Sequence, residues 1–388
     1  MIVREILDSH KQGYYKKGKF ESGSTHFVRI SDIRDNAYLN ESSTPMINVE
    51  SDVIEKFSIK KNDFLFARTG GAGRFCLIKK DVHGIFASYL IRFRFNKNYD
   101  SSFLRYYFLS NSFQSELKSK IHGGVNQNVH AENIKDCPVP EILIEEQKRI
   151  VTKLDECFEA IDKARVNVEK NLNNAKELFQ SQLNQIFSQK GDGWVEKKLG
   201  EVCIVERGSS PRPIKDYLTE SEDGVNWIKI GDTKNVEKYI YATKQKITKE
   251  GANRSRFVDV GDFILTNSMT YGKPYIMKTK GYIHDGWFVL RLPDEINSEF
   301  FWYLLASPYT MEQFEYLAAG AIVKNISGDL VKKAILPIPP IGEQATIVEK
   351  MDTLSSQTQF LESNFQQELD ALDELKKSIL QKAFNGEL

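Results

Sequence analysis

The chain has 388 residues, which is enough for two domains, and its hydrophobic content of 41% and charged content of 27% are ordinary for a globular protein. Its formal net charge is zero. Composition therefore does not favour a free-standing nucleic-acid binder, which usually carries a basic excess. A local basic face, or one on a partner, could still supply phosphate contacts.

Composition also argues against a secreted, membrane-spanning or metal-binding protein. Residues 1–8 are charged and lack an apolar signal-peptide core, and no apolar run approaches ~18 residues. The cysteines are scattered, with no Cys-x-x-Cys pair, at Cys76, Cys137, Cys157 and Cys203. We therefore expect neither disulfides nor zinc, and a cytoplasmic location.

The first globular segment, residues 1–146, is predicted to be rich in strands. Alternating apolar residues predict strands within 27–33, 59–68, 75–78 and 85–95. Helical spacing follows at 102–121. Pro138-Val139-Pro140 then ends regular structure ahead of a long helix.

Two long helices are predicted at 147–190 and 344–388. Apolar residues recur in both at steps of three and four, the period of one helix face or a coiled-coil seam. Between the first helix and Trp194, the stretch Lys190-Gly191-Asp192-Gly193 reads as a linker or tight turn. A second globular segment, 191–343, precedes the second helix.

The two halves share landmarks in the same order, about 200 residues apart. Phe27 to Ile33 matches Trp227 to Thr233, and the Asp63-Phe64 pair matches Asp262-Phe263. The Pro-x-Pro stretch at Pro138 recurs at Pro337, and the Glu-Gln pair at Glu146 recurs at Glu343. This period is far longer than the ~20–50 residues of solenoid repeats, and it predicts a duplicated domain-plus-helix unit.

Catalytic motifs are not found in the sequence. No phosphate-cradling Gly-x4-Gly-Lys-Ser/Thr loop, Gly-x-Ser-x-Gly elbow or paired-histidine metal motif is present, and no Asn/Asp-Pro-Pro-aromatic run suits an amino-methyltransferase. This favours a binding protein over an enzyme.

Polar loops provide the candidate binding residues. One loop carries Arg68, Thr69 and Arg74, and its counterpart in the second half carries Thr266, Asn267, Ser268 and Lys273. Hydroxyls and amides beside Arg or Lys suit phosphate contact and base-edge reading. A solvated hairpin loop is the alternative, and equivalence within the repeat favours function.

Two further loop sets are candidates, each as compatible with an ordinary turn as with a contact surface. The stretch with Asn126 and Gln127 is mirrored by one with Lys324 and Asn325. A third loop carries Arg207, Ser209, Ser210 and Arg212. The paired loops differ in sequence, as two copies reading different ligands would, although neutral drift predicts the same.

The chain resembles the specificity subunit of type I restriction-modification enzymes. The resemblance rests on Trp194-x4-Leu199-Gly200-Glu201, Trp227-Ile228-x-Ile230-Gly231-Asp232, Gly261-Asp262-Phe263-Ile264-Leu265, the Leu336 to Gln344 lead-in and the Leu375 to Leu388 ending. It covers essentially the whole chain. The first half lacks the Trp-x4-Leu-Gly-Glu opening, and we align Met1 with about Val202. Either the first domain is trimmed at its N-terminus or an upstream start is missing.

The resemblance implies an α+β fold with two mixed, strand-rich target-recognition domains in a pseudo-two-fold arrangement, separated by two long antiparallel helices that form a coiled coil. Each domain would read one part of a split, asymmetric sequence in double-stranded DNA. Two methyltransferase subunits, which carry S-adenosylmethionine, would bind the chain, and restriction subunits would supply ATP- and Mg-dependent steps. The chain itself would be non-catalytic and hold no cofactor.

Helix length suits this arrangement, because about 40 residues span ~60 Å, more than one ~34 Å turn of duplex DNA. Helix length is thus expected to act as a ruler between two half-sites. The alternative function is a non-catalytic tandem-domain coiled-coil scaffold that binds only protein partners. An enzyme with an unrecognised site is a third possibility, for which the sequence suggests no residues.

Overall fold

The computed structural model describes residues 1–16, 22–69, 71, 73–121, 128–267, 272–319 and 327–388. Its contacts divide the chain into two units. Unit 1 comprises Met1–Val168 and Gln367–Leu388, and unit 2 comprises Glu169–Gln366. Each unit therefore holds one globular segment and a part of each long helix.

In unit 1, the described residues form two small sheets with short helices packed beside them. One sheet is antiparallel, with strand order β1-β7-β4-β5, and the other has the order β3-β2-β6, in which β2 and β6 are parallel. The elements are β1 (Leu7–Gln12), β2 (Thr25–Val28), β3 (Met46–Ile47), α1 (Ser51–Phe57), β4 (Phe64–Ala67), β5 (Phe75–Leu77), β6 (Gly84–Phe86), β7 (Leu90–Phe95), α2 (Ser101–Leu109), α3 (Asn111–Ser119) and α4 (Ala131–Lys135).

Phenylalanine rings form the core between the larger sheet and helices α2 and α3. Phe66, Phe93, Phe108 and Phe113 are fully buried, and the Phe66 and Phe108 ring centroids lie 5.4 Å apart in an edge-on arrangement. Such edge-to-face pairs add to the gain from burying apolar area. The alternating residues of β4 and β7 thus attach the helices to the sheet.

Unit 2 repeats this plan with larger sheets among its described residues. The strand orders are β12-β16-β15-β18-β9, β10-β13-β11-β17-β14 and β19-β8. The elements are β8 (Val195–Lys198), α6 (Leu199–Val202), β9 (Ile204–Arg207), β10 (Leu218–Thr219), β11 (Val225–Ile228), β12 (Tyr239–Ile240), β13 (Gln245–Ile247), α7 (Lys249–Ala252), β14 (Arg256–Val258), β15 (Phe263–Thr266), β16 (Pro274–Met277), β17 (Gly281–Ile283), β18 (Trp287–Arg291), α8 (Ser298–Ala306), α9 (Pro308–Ala319), α10 (Gly328–Val331) and β19 (Ile335–Ile338).

Two helices are much longer than the rest: α5 (Ile144–Gln189, 46 residues) and α11 (Ile341–Asn385, 45 residues). In unit 1 they run antiparallel, since Arg149 donates to the Leu388 carbonyl (2.6 Å) and Lys376 to Asp162 (3.0 Å). Arg165 pairs with Asp373 further along. Residue numbers rise on α5 as they fall on α11, which confirms the antiparallel prediction in this unit.

In both units the long helices contribute to the core of the globular segment. In unit 1, Leu154 and Phe158 of α5 and Leu380 of α11 belong to the phenylalanine-rich core. In unit 2, Phe187 of α5 and Met351 of α11 pack with the core beneath β15 and β18. The apolar stripes therefore bury against the domains as well as against each other.

A buried glutamine near the start of each long helix holds it to its own domain. The Gln147 side chain accepts from the Asp100 N–H (2.8 Å) and donates to the Ile142 carbonyl (2.7 Å). Gln344 accepts from the Asn297 N–H (2.8 Å) and donates to the Pro339 carbonyl (3.1 Å). The Glu-Gln landmark of the repeat thus marks a duplicated helix–domain joint.

A phenol–carboxylate hydrogen bond forms a second joint in each unit. Tyr106 donates to Asp155 and Tyr303 to Asp352, both at 2.5 Å. Burial, followed by the hydrogen bond to the carboxylate, raises the pKa of both phenols far above the usual value, so both stay protonated donors at any physiological pH.

Several predicted elements are shorter than the sequence suggests. The predicted strand at 27–33 ends at Val28, because Asp32 accepts from the Arg29 N–H (2.8 Å) and closes a turn. The predicted strand at 85–95 is two strands, β6 and β7. The predicted helix at 102–121 breaks at Ser110, whose hydroxyl accepts from the Phe113 N–H and begins α3.

The expected alignment of Met1 with Val202 is wrong. The Ile2 N–H donates to Glu5 at 2.8 Å, as the Lys198 N–H donates to Glu201 at 2.9 Å. The Val3 N–H donates a hydrogen bond to the Cys137 carbonyl, and the Leu199 N–H donates one to the Ala334 carbonyl. Val3-Arg4-Glu5 is therefore the counterpart of Leu199-Gly200-Glu201, and sequence comparison fails because only the glutamate is shared.

We predict that Gln344→Ala destabilises the chain by about 1–3 kcal/mol, because the Asn297 N–H and the Pro339 carbonyl lose their buried partner. Gln344 is 1% exposed. Urea unfolding would measure this, with Gln357→Ala on the exposed face of the same helix as the control, expected within about 0.5 kcal/mol of the unaltered chain. Equal midpoints for the two variants would contradict the prediction.

Candidate nucleic-acid interface

In unit 1, the ends of β1 and β4 both reach the turn between β6 and β7, on either side of β7. The Gly13 N–H donates to the Leu90 carbonyl (3.0 Å), and the Arg68 N–H donates to that of Tyr89 (2.8 Å). The Val129 N–H in turn donates to the Arg68 carbonyl (2.7 Å). The candidate loop that begins at Arg68 therefore adjoins the segment that follows the Asn126 and Gln127 stretch.

Unit 2 brings the equivalent segments together with the same backbone bonds. The Gly208 N–H donates to the Trp287 carbonyl (2.8 Å), and the Asn267 N–H donates to that of Gly286 (3.0 Å). A Cβ atom on Gly208 would lie 2.1 Å from the His284 carbonyl oxygen, and one on Gly13 would lie 2.1 Å from that of Ala87. Glycine is thus required at both positions for the strands to approach the turn.

The residues predicted in the first loop have different environments. Arg68 and Thr69 are half-buried. The Arg74 guanidinium donates to the Ile33 carbonyl (2.6 Å) and lies 3.4 Å from an Asp35 carboxylate oxygen. Arg74 therefore ties the end of its loop to the domain's own backbone in addition to any external contact.

In the second loop, two predicted contact residues are buried. Thr266 and Asn267 are each 1% exposed. The Asn267 amide donates to the Asp285 carbonyl (2.7 Å), and the Lys273 N–H donates to the Thr266 hydroxyl (3.0 Å). These side chains therefore shape the loop, while the half-buried Lys273 extends over the Tyr275 ring. Predicted contacts Ser268, Asn126, Gln127, Lys324 and Asn325 lie outside the described residues.

The third predicted loop converges on Asp285, in the turn between β17 and β18. The Asp285 carboxylate accepts from the Ser210 hydroxyl (2.6 Å) and from the Arg212 guanidinium (3.1 Å). Its backbone carbonyl accepts from the Arg207 guanidinium at 3.4 Å. Ser209 instead donates to the Arg254 carbonyl (3.2 Å). The structure thus brings Arg207, Ser210, Arg212 and Asn267 around one residue.

Sequence reasoning missed Asp285, although it carried a recognisable signal. Asp285-Gly286 lies between the apolar strands β17 and β18, which belong to different sheets, and Asp-Gly is a characteristic turn pair. The Ser210 hydrogen bond holds the pKa of the Asp285 carboxyl below its usual value. The neighbouring His284 is largely buried, which lowers the pKa of its imidazole and favours the neutral ring.

A cleft of about 810 Å³ opens beside Asp285 in unit 2. Its apolar wall includes Trp227 and Ile214, and its basic side chains are Arg212, Lys215 and Lys229. An apolar wall with several cations suits the sugar-phosphate and base edges of a nucleic acid better than a cationic or purely lipophilic ligand.

Two other classes of site are absent from the residues that the structure describes. None of their groups of His, Cys, Asp and Glu could hold a metal ion, and none of their helices is long and apolar enough to cross a membrane. Burial raises the pKa of the Cys76, Cys137 and Cys203 thiols to about 12, so these thiols remain protonated and unreactive at neutral pH.

Comparison with known proteins identifies the family. The model of the type I restriction modification DNA specificity domain matches residues 3–173 and again residues 191–371. The chain belongs to this family. The membership confirms the resemblance drawn from the sequence and the duplicated architecture, and it makes the chain the DNA-specificity component of a type I restriction-modification system.

Individual relatives of this specificity subunit are distant. It is 24% identical over 356 residues to the MjaVIII specificity subunit of Methanocaldococcus jannaschii, covering 85% of this chain and 80% of that one. It is 26% identical to the EcoKI specificity subunit of Escherichia coli K12 over 208 residues, which cover 51% of this chain and 44% of that subunit. The match to the EcoKI subunit thus spans less than half of its length.

Solved structures share the fold of the specificity subunit at 21% identity. A chain from a study of complex assembly and conformational transition of the type I R-M system has a TM-score of 0.78, covering 100% of this chain and 97% of that one. The HsdS subunit from Thermoanaerobacter tengcongensis has a TM-score of 0.62, covering 100% and 96%.

We predict that Ser210→Ala raises the pKa of Asp285 toward the ordinary aspartate value of about 3.9. The physical reason is that the hydroxyl stabilises the ionised form, so this stabilisation is present at neutral pH and is lost as pH falls through the depressed folded-state pKa. A carboxyl NMR titration would measure the shift. Ser221→Ala, which removes a hydroxyl bonded to Asp223 instead, should leave Asp285 unchanged. An unaltered Asp285 midpoint in Ser210→Ala would refute the prediction.

Proposed function

We propose that each globular segment reads one part of a split, asymmetric sequence in double-stranded DNA through the loops that meet at the turn before β7 or β18. The observation that supports this is the duplicated backbone arrangement, Gly13–Leu90 with Arg68–Tyr89 and Gly208–Trp287 with Asn267–Gly286. The scaffold is the same and the side chains on it differ. Two copies of one scaffold with different side chains are suited to reading two different half-sites.

Local cations give these loops affinity for phosphate despite a net charge of zero. In unit 2 the exposed Arg207, Arg212 and Lys215 lie close to one another along the third loop and its cleft. In unit 1, Arg68 lies at the meeting point, and Lys16 follows Gly13 by three residues. Arginine and lysine contacts to phosphate position a protein on DNA, and arginine also reads guanine.

The chemistry is assigned to partner subunits. The chain would be a non-catalytic component to which two methyltransferase subunits, holding S-adenosylmethionine, and restriction subunits, using ATP and Mg, bind. Apolar side chains left exposed on the long helices are candidate docking positions; among the described residues they are Val166, Leu178, Ile341, Phe360, Leu361 and Leu375. Exposed apolar residues mark a protein contact surface where they form a contiguous patch.

The scaffold alternative, in which the chain binds only protein, makes an opposite prediction for loop variants. Under that alternative, loop cations have no role once the complex is assembled. The proposed function instead requires each loop to control recognition at its own half-site.

We predict that Arg68→Ala relaxes recognition of one half-site and Lys273→Ala weakens DNA binding at the other, each by roughly 5- to 150-fold for a base contact and less for a phosphate contact. Methylation of a randomised DNA library by the complete methyltransferase complex would measure both. Binding of the methyltransferase subunits should be unchanged.

The matched control is Lys97→Ala, an exposed lysine beyond the opposite end of β7 from the Arg68 loop. It should leave both half-site preferences intact. If Arg68→Ala and Lys273→Ala also leave the methylated sequences unchanged, the DNA-reading assignment of these loops fails and the scaffold alternative is favoured.

Helix length is proposed to set the spacer between half-sites. Removing one heptad from facing positions of α5 and α11 shortens each by ~10 Å, or about three base pairs at ~3.4 Å per pair. We therefore predict a preferred spacer shorter by about three base pairs on a spacer library. A heptad replaced by another of equal length and apolar pattern is the control. If the complex with shortened helices keeps the original spacer, helix length does not set the distance between the half-sites.

A further inference from the structure

Asp285 has a position that is unusual for a carboxylate on a DNA-reading surface. Phosphates repel it, and acidic residues are useful there only when they are paired with a cation or accept from a base amino group. In unit 2 it is already paired, with the Ser210 hydroxyl at 2.6 Å and the Arg212 guanidinium at 3.1 Å. Its counterpart in the backbone pattern of unit 1 is Ser88, which has no charge.

The Arg212 guanidinium is held by Asp285 through one of its terminal nitrogens and is otherwise open to solvent. The side chain is 79% exposed, and the described contact to Asp285 uses one terminal nitrogen. The guanidinium carries five N–H donors in a rigid plane, so an edge remains for a second planar acceptor. An exposed arginine without an anchor would lose rotamer freedom on binding, and the ion pair limits that freedom beforehand.

We propose that Arg212 and Asp285 form a guanine-reading pair: Arg212 donates to the O6 and N7 atoms of one guanine in the half-site read by unit 2, and Asp285 is the positioning residue that orients it. The proposal rests on the proposed function, since it names the base class read by a loop assigned there. Bidentate contact from arginine to guanine is the commonest specific contact in the major groove.

The surrounding hydrogen bonds make the turn a fixed support for this pair. The Asn267 amide donates to the Asp285 carbonyl at 2.7 Å from within the domain, and the Asp285 N–H lies 3.3 Å from the Ser210 oxygen. Asp285 therefore contacts its neighbours through its carboxylate, its carbonyl and its N–H. A residue held through its carboxylate, its carbonyl and its N–H is placed to orient an exposed arginine and has little freedom to follow a base itself.

The test is the methylation profile of a randomised library, obtained with the complete methyltransferase complex carrying Arg212→Ala, Asp285→Ala or Asp285→Asn. We expect Arg212→Ala to lose preference for guanine at one position of one half-site by about 5- to 150-fold. Both Asp285 variants should relax the same position by about 2- to 10-fold, the effect of releasing one side chain. The other half-site should keep its preference and thus report intact assembly.

The exposed Asp294→Ala, in the same unit, is the matched control and should leave every position unchanged. If Asp285 variants relax a position other than the one affected by Arg212→Ala, then Asp285 reads a base directly and the pair is overturned. If Arg212→Ala alone changes the profile, the positioning role is overturned while the loop remains a DNA reader. If neither changes it, DNA reading by this loop also fails.

A variant that abolishes methylation is also informative. Loss of methylation at all sites with both Asp285→Ala and Asp285→Asn would assign Asp285 to folding of unit 2 and overturn the proposal. Asp285→Asn keeps an oxygen acceptor for Ser210 and removes only the charge facing Arg212. Relaxation by Asp285→Asn at the Arg212 position, with the other half-site retained, is therefore the result that most directly supports the pair.

Discussion

The structure depends on the buried side-chain amide with which each long helix meets its own domain. Gln147 and Gln344 each join the helix start to the N-cap residue of a short domain helix, Asp100 or Asn297. Leaving a buried polar group without a hydrogen-bond partner costs about 1–3 kcal/mol. Tilting the helix would leave both the glutamine amide and its backbone partners without hydrogen bonds. The tyrosine–aspartate bond eight residues further along, at Asp155 or Asp352, fixes the helix at a second point. Two points on one helix face define its direction relative to its domain.

A joint fixed in this way leaves the opposite end of the domain free to vary. Gln12 donates to the Ser88 carbonyl at 3.3 Å, and Arg207 donates to the Asp285 carbonyl at 3.4 Å. The acceptor is the same backbone oxygen of the repeat, but the donor is neutral in one unit and charged in the other. Side chains can therefore differ at the turn while the backbone hydrogen bonds and the acceptor oxygen that hold the turn in place are kept. The paired loops can thus differ in sequence, as they do, on the same backbone arrangement.

The duplication could be predicted from the sequence because its landmark residues form hydrogen bonds with near neighbours in the chain. Asp63 and Asp262 each accept a backbone N–H three residues earlier, from Lys60 and Asp259, so their spacing is kept in both halves. Loop side chains follow no such rule. Asn267 resembles an exposed contact in sequence, yet it is buried, because its partner is a carbonyl 18 residues away on another turn. The break at Ser110 could have been predicted, since serine is a preferred helix N-cap.

Neutral overall charge is consistent with a protein whose task is discrimination. A loop of free lysines would bind phosphates of any sequence, and its affinity would fall steeply with salt. Arg212 is paired with Asp285, and if this loop reads DNA as proposed, the pairing cancels part of that attraction while keeping a directed donor. Specificity is a difference between affinities, and lowering the affinity for all sequences equally does not reduce it. A complex that obtains its phosphate contacts elsewhere can accept this loss, whereas a DNA-binding protein acting alone would need additional cations.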